Sequence, residues 1–254
     1  MKFTKWEGLG NDFVVCEGDP PANAPELARA VCDRHFGVGA DGLVYLIDGP
    51  GMVIFNSDGS QAEICGNALR CLAALAVSRG GSESTQFQTG AGPRAVRVLR
   101  LQPWWVEVDM GVPERLKPHE GPGSGSWQTW WVNVGNPHKV ILLPQGETLP
   151  KDWQAIGARF ERISPGGINV EFVEVLAQDR LRVHVWERGA GATLACGTGA
   201  CAAVAAAQWA GLCASHAQVE LPGGTLEVAL ELGRLWMRGP ARQLFEGTWR
   251  PDPR

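Results

Sequence analysis

The chain lacks any apolar run of the roughly 18 to 20 residues that a membrane-spanning helix needs. Its alanine-rich stretch ending at Ala207 is too short and too weakly apolar to serve. The amino terminus, MKFTKWEGLGNDFVV, is charged and alternating, which neither a secretory nor a transit peptide is. There is no positive excess: 23 Lys and Arg against 27 Asp and Glu give a net charge of −4, so nothing electrostatic favours nucleic acid or an anionic membrane. No Cys-x-x-Cys occurs among the seven cysteines, and the five histidines do not cluster with them. A disulfide framework and a structural zinc site are both disfavoured, and no metal is expected. No lysine motif suggests an imine-forming cofactor. These absences leave a cytoplasmic location as the default for a globular protein, and 254 residues suffice for one large or two modest domains.

What the chain has is glycine, proline and short β-rich runs. FTKWEGLGNDFVVCEG reads as two strands around a turn, and PELARAVCDRHFG (25–37) as a helix stopped by Gly37. AEICGNALRCLAALAVSRGG reads as a helix opened by Cys65-Gly66-Asn67. Residues 113–127 turn Pro-, Gly- and Ser-rich and are the best linker candidate, and the tail TWRPDPR looks frayed. The second half then replays the first. Asn136 follows Asn11 by 125 residues, Glu187 follows Asn56 by 131, Cys196 follows Cys65 by 131, and Gly223 follows Gly90 by 133. Four features in register, each in a matching local setting, argue for two similar halves with a cleft between them.

Each half therefore offers a cysteine at the start of an apolar helix. The positive end of the helix dipole and its unpaired N–H groups are expected to stabilise a thiolate there and to bind a carboxylate. Two such thiols on opposite sides of one α-carbon suit inversion of a stereocentre beside a carboxylate: one removes the proton, and the other supplies one to the opposite face. Cys71 and Cys201, deeper in the two helices, read as packing residues.

At GLGNDFVV (8–15), FNSDGSQAEICGNALRC (55–71), GNPH (135–138), ERGAGATLACGTGACAA (187–203) and LPGG (221–224) the chain resembles the diaminopimelate epimerase family. The resemblance runs from Met1 to about Gly247. It implies an α/β (α+β) fold of two pseudo-symmetric domains, each a central helix wrapped by curved, mostly antiparallel sheet, with the active site between them. The implied boundaries are 1–116 with 240–254 for the first domain and 117–239 for the second. It further implies a homodimeric, cofactor-independent isomerase of lysine biosynthesis that interconverts LL- and meso-diaminopimelate. Carried over by motif, Cys65 and Cys196 are the acid/base thiols, assisted by His138 and Glu187. Gly66, Asn67, Gly197 and Thr198 would hold the reacting carboxylate. Asn11, Asn56, Asn136, Asn169, Glu187 and Arg188 would recognise the far end of the substrate. Gly42 stands where some members carry a Gln that meets the substrate.

Three other readings remain at this point. Racemases of proline or hydroxyproline share the architecture. GTGACA (197–202) formally fits a dinucleotide fingerprint, with Glu220 about 20 residues on, which would suit a nicotinamide oxidoreductase. A non-catalytic amino-acid-binding protein would also use such a site.

Overall fold

The computed structural model describes residues 1–118 and 127–250, so most of the linker candidate and the end of the tail lie outside the described residues. The chain divides into two units, Met1–Val108 with Gly239–Arg254, and Asp109–Arg238. In chain order the first elements are β1 (Lys2–Gly8), β2 (Asn11–Glu17), α1 (Ala24–Cys32), β3 (Gly42–Ile47), β4 (Gly51–Asn56), β5 (Gln61–Ala62) and α2 (Gly66–Ser78). They are followed by β6 (Ser84–Phe87), β7 (Arg94–Leu101), β8 (Trp104–Gly111) and β9 (Glu114–Arg115). Next come β10 (Gln128–Asn133), β11 (Pro137–Leu142), α3 (Trp153–Ile163), β12 (Asn169–Ala177), β13 (Arg180–Glu187), β14 (Gly191–Thr193) and α4 (Gly197–Trp209). The last four are β15 (His216–Leu221), β16 (Gly224–Glu231), β17 (Arg234–Pro240) and β18 (Arg242–Thr248).

In the first unit, β1 and β2 are joined by Leu9 and Gly10, with φ of 59° and 81°. Positive φ at both positions is the combination of a type I′ hairpin turn, whose twist suits adjoining strands. The Glu7 carboxylate accepts the Gly10 N–H at 2.9 Å, which holds the turn. Asn11 is thereby fixed as the first residue of β2, opposite Gly8. The sheet order is β18-β1-β2-β3-β4-β5. Val14, Cys16, Leu43 and Tyr45 share a core with Ala28 and Val31 of α1. The alternate residues Phe13, Val15 and Val44 are buried too, as the two-residue period of a strand covered on both faces requires. One sequence expectation is corrected here. The helix expected to run to Gly37 ends at Cys32, because the Asp33 carboxylate accepts the N–H groups of His35 (2.7 Å) and Phe36 (2.8 Å). That side chain competes with the next helical turn for those donors. Gly37 still matters, since a Cβ there would overlap the carbonyl oxygens of Ala30 and Val31.

The second unit repeats the pairing plan of the first. β1/β2 and β10/β11 are antiparallel, β2/β3 and β11/β12 parallel, β3/β4 and β12/β13 antiparallel. Phe13 pairs with Gly42 and Gly42 with Asn56; His138 pairs with Asn169, which lies one step past the Val170–Trp186 pair and so abreast of Glu187. Asn56 and Glu187 are thus structural counterparts, and Gly42 is the counterpart of Asn169. The helices after each cysteine also match: Leu69 N–H bonds to Cys65 O and Ala200 N–H to Cys196 O, both at 3.0 Å. Ala91 N–H meets Glu63 O at 3.2 Å, and Gly223 N–H meets Leu194 O at 2.8 Å, so each half ties down the chain two residues before its cysteine.

Both helices are interior. Every residue from Gly197 to Ala207 is buried, as is every residue from Gly66 to Leu75. A helix that is apolar all round is a core helix. Its small side chains let α4 pack against β10, β11, β12, β13, β15 and β16 together. The outer helices α1 and α3 are one-sided: α1 packs on β3 and β4, α3 on β12, β13 and β14. Leu69, Leu72 and Leu75 in α2 are almost fully buried, and each contributes roughly 1.5–3 kcal/mol of hydrophobic stabilisation that fixes where the helix starts.

Candidate active site

In the first unit, Cys65 is the N-cap residue of α2, in extended conformation, and is half-buried. Its thiol points at Asn11 Oδ1, 3.9 Å away. The same oxygen accepts the Asn67 side-chain N–H at 3.1 Å. Asn11 can present its oxygen this way because its own amide N–H is given to Asp41 Oδ2 at 2.8 Å. Asp41 also accepts Asp12 N–H at 3.0 Å and Arg34 Nη2 at 2.7 Å, so an ion-pair network anchors the amide orientation. Gly66 is buried as the first helical residue. Asn56 is exposed and gives its amide to Ser60 Oγ at 2.9 Å. Cys65, Asn67 and Asn11 therefore come together, while Asn56 is engaged elsewhere.

In the second unit, Cys196 caps α4 and is 5% exposed. Its sulfur accepts Gly199 N–H at 3.3 Å and lies 3.4 Å from the Thr198 hydroxyl. The thiol also donates to the Glu187 carboxylate, which receives the Thr193 hydroxyl at 2.5 Å. Gly197 opens the helix. His138, fully buried, places Nδ1 2.6 Å from Glu171 Oε1 and Nε2 2.7 Å from Asn136 Oδ1. Asn169 gives its amide N–H to Pro137 O at 3.0 Å and accepts Arg188 N–H at 2.9 Å, so it sets the backbone from which Arg188 projects. The exposed Arg188 side chain lies along Gly166 and Gly167, where it donates to Gly166 O at 3.2 Å.

The electrostatics correct one expectation. Cys196 is not an activated thiolate at rest. Burial first, then the carboxylates of Glu187 and Glu171, push its thiol well above its ordinary 9.0, and the Thr198 and Gly199 hydrogen bonds only oppose this. A helix terminus contributes ~0.3–2 kcal/mol to an adjacent charge. Burying an ion costs several kcal/mol, so burial wins. Glu187 is likewise raised, chiefly by burial, against the hydrogen bonds from Thr193 and Cys196. Cys196 stands as a thiol with its proton directed at a carboxylate that itself resists ionisation.

Four contributors were not evident in the sequence: Asp41, Thr193, Glu171 and the steric role of Gly199. A Cβ on Gly199 would lie 2.8 Å from Glu171 Oε1. The clearance that a dinucleotide fingerprint would reserve for pyrophosphate is thus taken by the protein's own carboxylate. The Gly197-Thr198-Gly199 run after Cys196 was the available signal.

The diaminopimelate epimerase family model matches residues 3–116 and 130–244. The chain is 41% identical over 276 residues to a diaminopimelate epimerase of Synechococcus elongatus, covering 98% of each chain. The chain belongs to the diaminopimelate epimerase family. It is 43% identical over 280 residues to a second diaminopimelate epimerase, from Synechococcus sp. strain JA-2-3B'a(2-13), again over 98% of each chain. Among solved structures it is similar to a probable proline racemase from Agrobacterium radiobacter, with a TM-score of 0.77 over 99% of this chain and 93% of that one. At 15% identity the last likeness shows the two-unit α/β fold alone.

Proposed function

We propose that the chain is a cofactor-independent epimerase that interconverts LL-2,6-diaminopimelate and meso-diaminopimelate in lysine biosynthesis, with Cys65 and Cys196 as its two acid/base groups. The observation that carries this reading is the repeated placement of a cysteine at the N-cap of a buried helix, in a chain about 41% identical over nearly its full length to diaminopimelate epimerases. The reading takes residues 1–116 with 240–254 as the domain of Cys65, and 117–239 as that of Cys196.

In one direction the Cys65 thiolate takes the α-proton, and Cys196 gives its proton to the opposite face of the carbanion. Cys65 ends as a thiol and Cys196 as a thiolate, so the reverse reaction starts with the roles exchanged. The raised Cys196 suits the donor role; between turnovers Glu187 relays a proton back to its thiolate while Cys65 releases the abstracted proton to solvent. Weak acidity of the α-carbon is met by electrostatic stabilisation of the developing charge. First-turn N–H groups have no intrahelical partner. Gly66 and Asn67 in α2, and Gly197 and Thr198 in α4, supply such donors to the substrate carboxylate; Gly199 N–H is already used by Cys196. At the distal end Arg188 grips the second carboxylate by charge-assisted hydrogen bonds, Glu187 and the amides of Asn11 and Asn136 face the ammonium groups, Asn56 joins them by releasing Ser60 Oγ, and Asn169 fixes Arg188. Two working thiols require a reducing compartment, which supports a cytoplasmic location. A homodimer through β18 is supported by its edge position and its exposed Leu244 and Phe245.

The test is incubation of the reduced protein with LL-diaminopimelate in deuterated water, with no cofactor added. The reading expects meso product carrying one deuterium at the inverted centre. Exchange into proline alone, or no exchange at all, would overturn the substrate assignment.

A further inference from the structure

Glu171 is a buried charge-bearing group beside the thiol to which the mechanism above gives no task. It lies in β12 between Val170 and Phe172, and all three are fully buried. A carboxylate is retained in such a place only when specific partners offset its desolvation. One oxygen, Oε1, is 2.6 Å from His138 Nδ1. The same oxygen packs against the first turn of α4, where it occupies the space beside Gly199 that a Cβ would need. Gly199 in turn gives its N–H to Cys196 Sγ. The other oxygen, Oε2, has no hydrogen-bond partner among the described residues. A single side chain therefore touches the histidine on one side and the turn that carries the thiol on the other.

We propose that Glu171 is a positioning residue of the thiol site, which accepts the Nδ1 proton of His138, holds that ring so that Nε2 donates to Asn136 Oδ1, and keeps a negative charge against the Cys196 turn. The proposal rests on the assignment of Cys196 and His138 made above. A carboxylate on one ring nitrogen sets the tautomer and orientation of the other, and a histidine without it samples the wrong tautomer. The groups that face Glu171 are His138 from β11, Glu187 from β13 and Cys196 at the start of α4. Toward Glu187 and Cys196 its charge acts in one direction only, disfavouring their ionised forms. Neutralising Glu171 therefore lets Cys196 lose its proton at lower pH.

The test is Glu171→Gln, which keeps the shape and an oxygen for His138 but removes the charge. Histidine-labelled protein without substrate is followed by ¹⁵N NMR, and a His138→Asn variant assigns the signal among the five histidines. In the unaltered protein Nδ1 of His138 is expected to be protonated; an unprotonated Nδ1 overturns the proposal whatever the variant does. In Glu171→Gln the Nδ1 proton signal moves. The alkaline limb of the kcat profile falls by about one pH unit. The value of kcat drops at least ~10-fold, within the ~10²–10⁴ that acid–base catalysis contributes. KM stays within about two-fold, as for a group that does not touch substrate. An unchanged kcat and limb, even with a shifted spectrum, overturns the proposal. If the unaltered protein fails to turn over diaminopimelate, the function assigned above falls, while the NMR measurement still tests the Glu171–His138 pair.

Discussion

Gly199→Ala is the substitution in which the geometry makes the sharpest demand. Alanine is normally the better helix residue, by about 0.5–1 kcal/mol over glycine. Here the added Cβ would lie 2.8 Å from Glu171 Oε1 and 3.3 Å from both Cβ and Sγ of Cys196. Glu171 is fully buried between core strands, so its carboxylate cannot swing into solvent. Relief comes either from breaking the 2.6 Å contact with His138 or from shifting the first turn of α4, which pulls Gly199 N–H away from Cys196 Sγ. Overpacking of a tight interior costs typically 1–3 kcal/mol. Subtracting the helix gain leaves a net loss of roughly 0–2.5 kcal/mol. For a chain of this size that lowers Tm by up to about 10 °C. Displacing a reacting group by about an ångström costs ~10²-fold in rate, so kcat suffers far more than stability. Thermal melts and deuterium incorporation, measured on the same preparation, read both quantities. A variant with raised Tm and full kcat would refute the placement of the Glu171 carboxylate against the thiol turn.

Two further perturbations probe the surrounding frame. Lys139 is buried, with its ammonium 4.2 Å from the Trp131 ring and 3.7 Å from the Phe160 ring, and burial pulls it from 10.5 down to about 8. That fall is worth ~3 kcal/mol against the charged form. Cation–π attraction returns ~1–2 kcal/mol of it. Lys139→Met is therefore expected to stabilise the protein by roughly 1–2 kcal/mol in urea denaturation at pH 7. Because the folded value is depressed, the native protein regains stability as pH rises from about 8 to 10.5, and the advantage of the variant should vanish over that window. An advantage that is independent of pH would show that charge burial is not the cause. Asp41→Ala removes the oxygen that accepts the Asn11 amide N–H, so the Asn11 amide is free to turn and withdraw its oxygen from Cys65 and Asn67. The expected result is a kcat loss of ~10-fold with little change in Tm; an unaltered kcat would separate Asn11 from the function of Cys65.

The duplication was legible because it is written in chain order: the 131-residue offsets of Cys196 from Cys65 and of Glu187 from Asn56 are the same offsets that the strand registers later align. The alternating runs also gave the strands, since Val14, Cys16, Leu43 and Tyr45 fall on one face by period alone. Where local side-chain chemistry decided the outcome, periodicity misled. Asp33 ended α1 early by capturing two backbone donors, and no hydrophobic pattern records that. Glu171 was hidden for the opposite reason. In a strand buried on both faces, NVEFV gives no alternation by which to place one acidic residue inside, and its partner His138 lies on another strand. The ionisation of Cys196 needed three dimensions too. The helix start is visible in LACGTGACA, but the burial that outweighs it, and the two carboxylates from β12 and β13 that add to it, are not. Gly199 was the one visible trace of Glu171, a glycine after the cysteine whose need for space has its cause 28 residues earlier in the chain.

The central claim is that two thiols, one from each half of the chain, exchange the α-proton. It is tested most directly by Cys65→Ala and Cys196→Ala, each assayed for conversion of LL- to meso-diaminopimelate with circular dichroism and Tm as controls for folding. The account predicts that each variant folds and that each loses epimerisation by at least ~10²-fold, the lower end of what a general acid or base supplies. Full activity in either folded variant would contradict it.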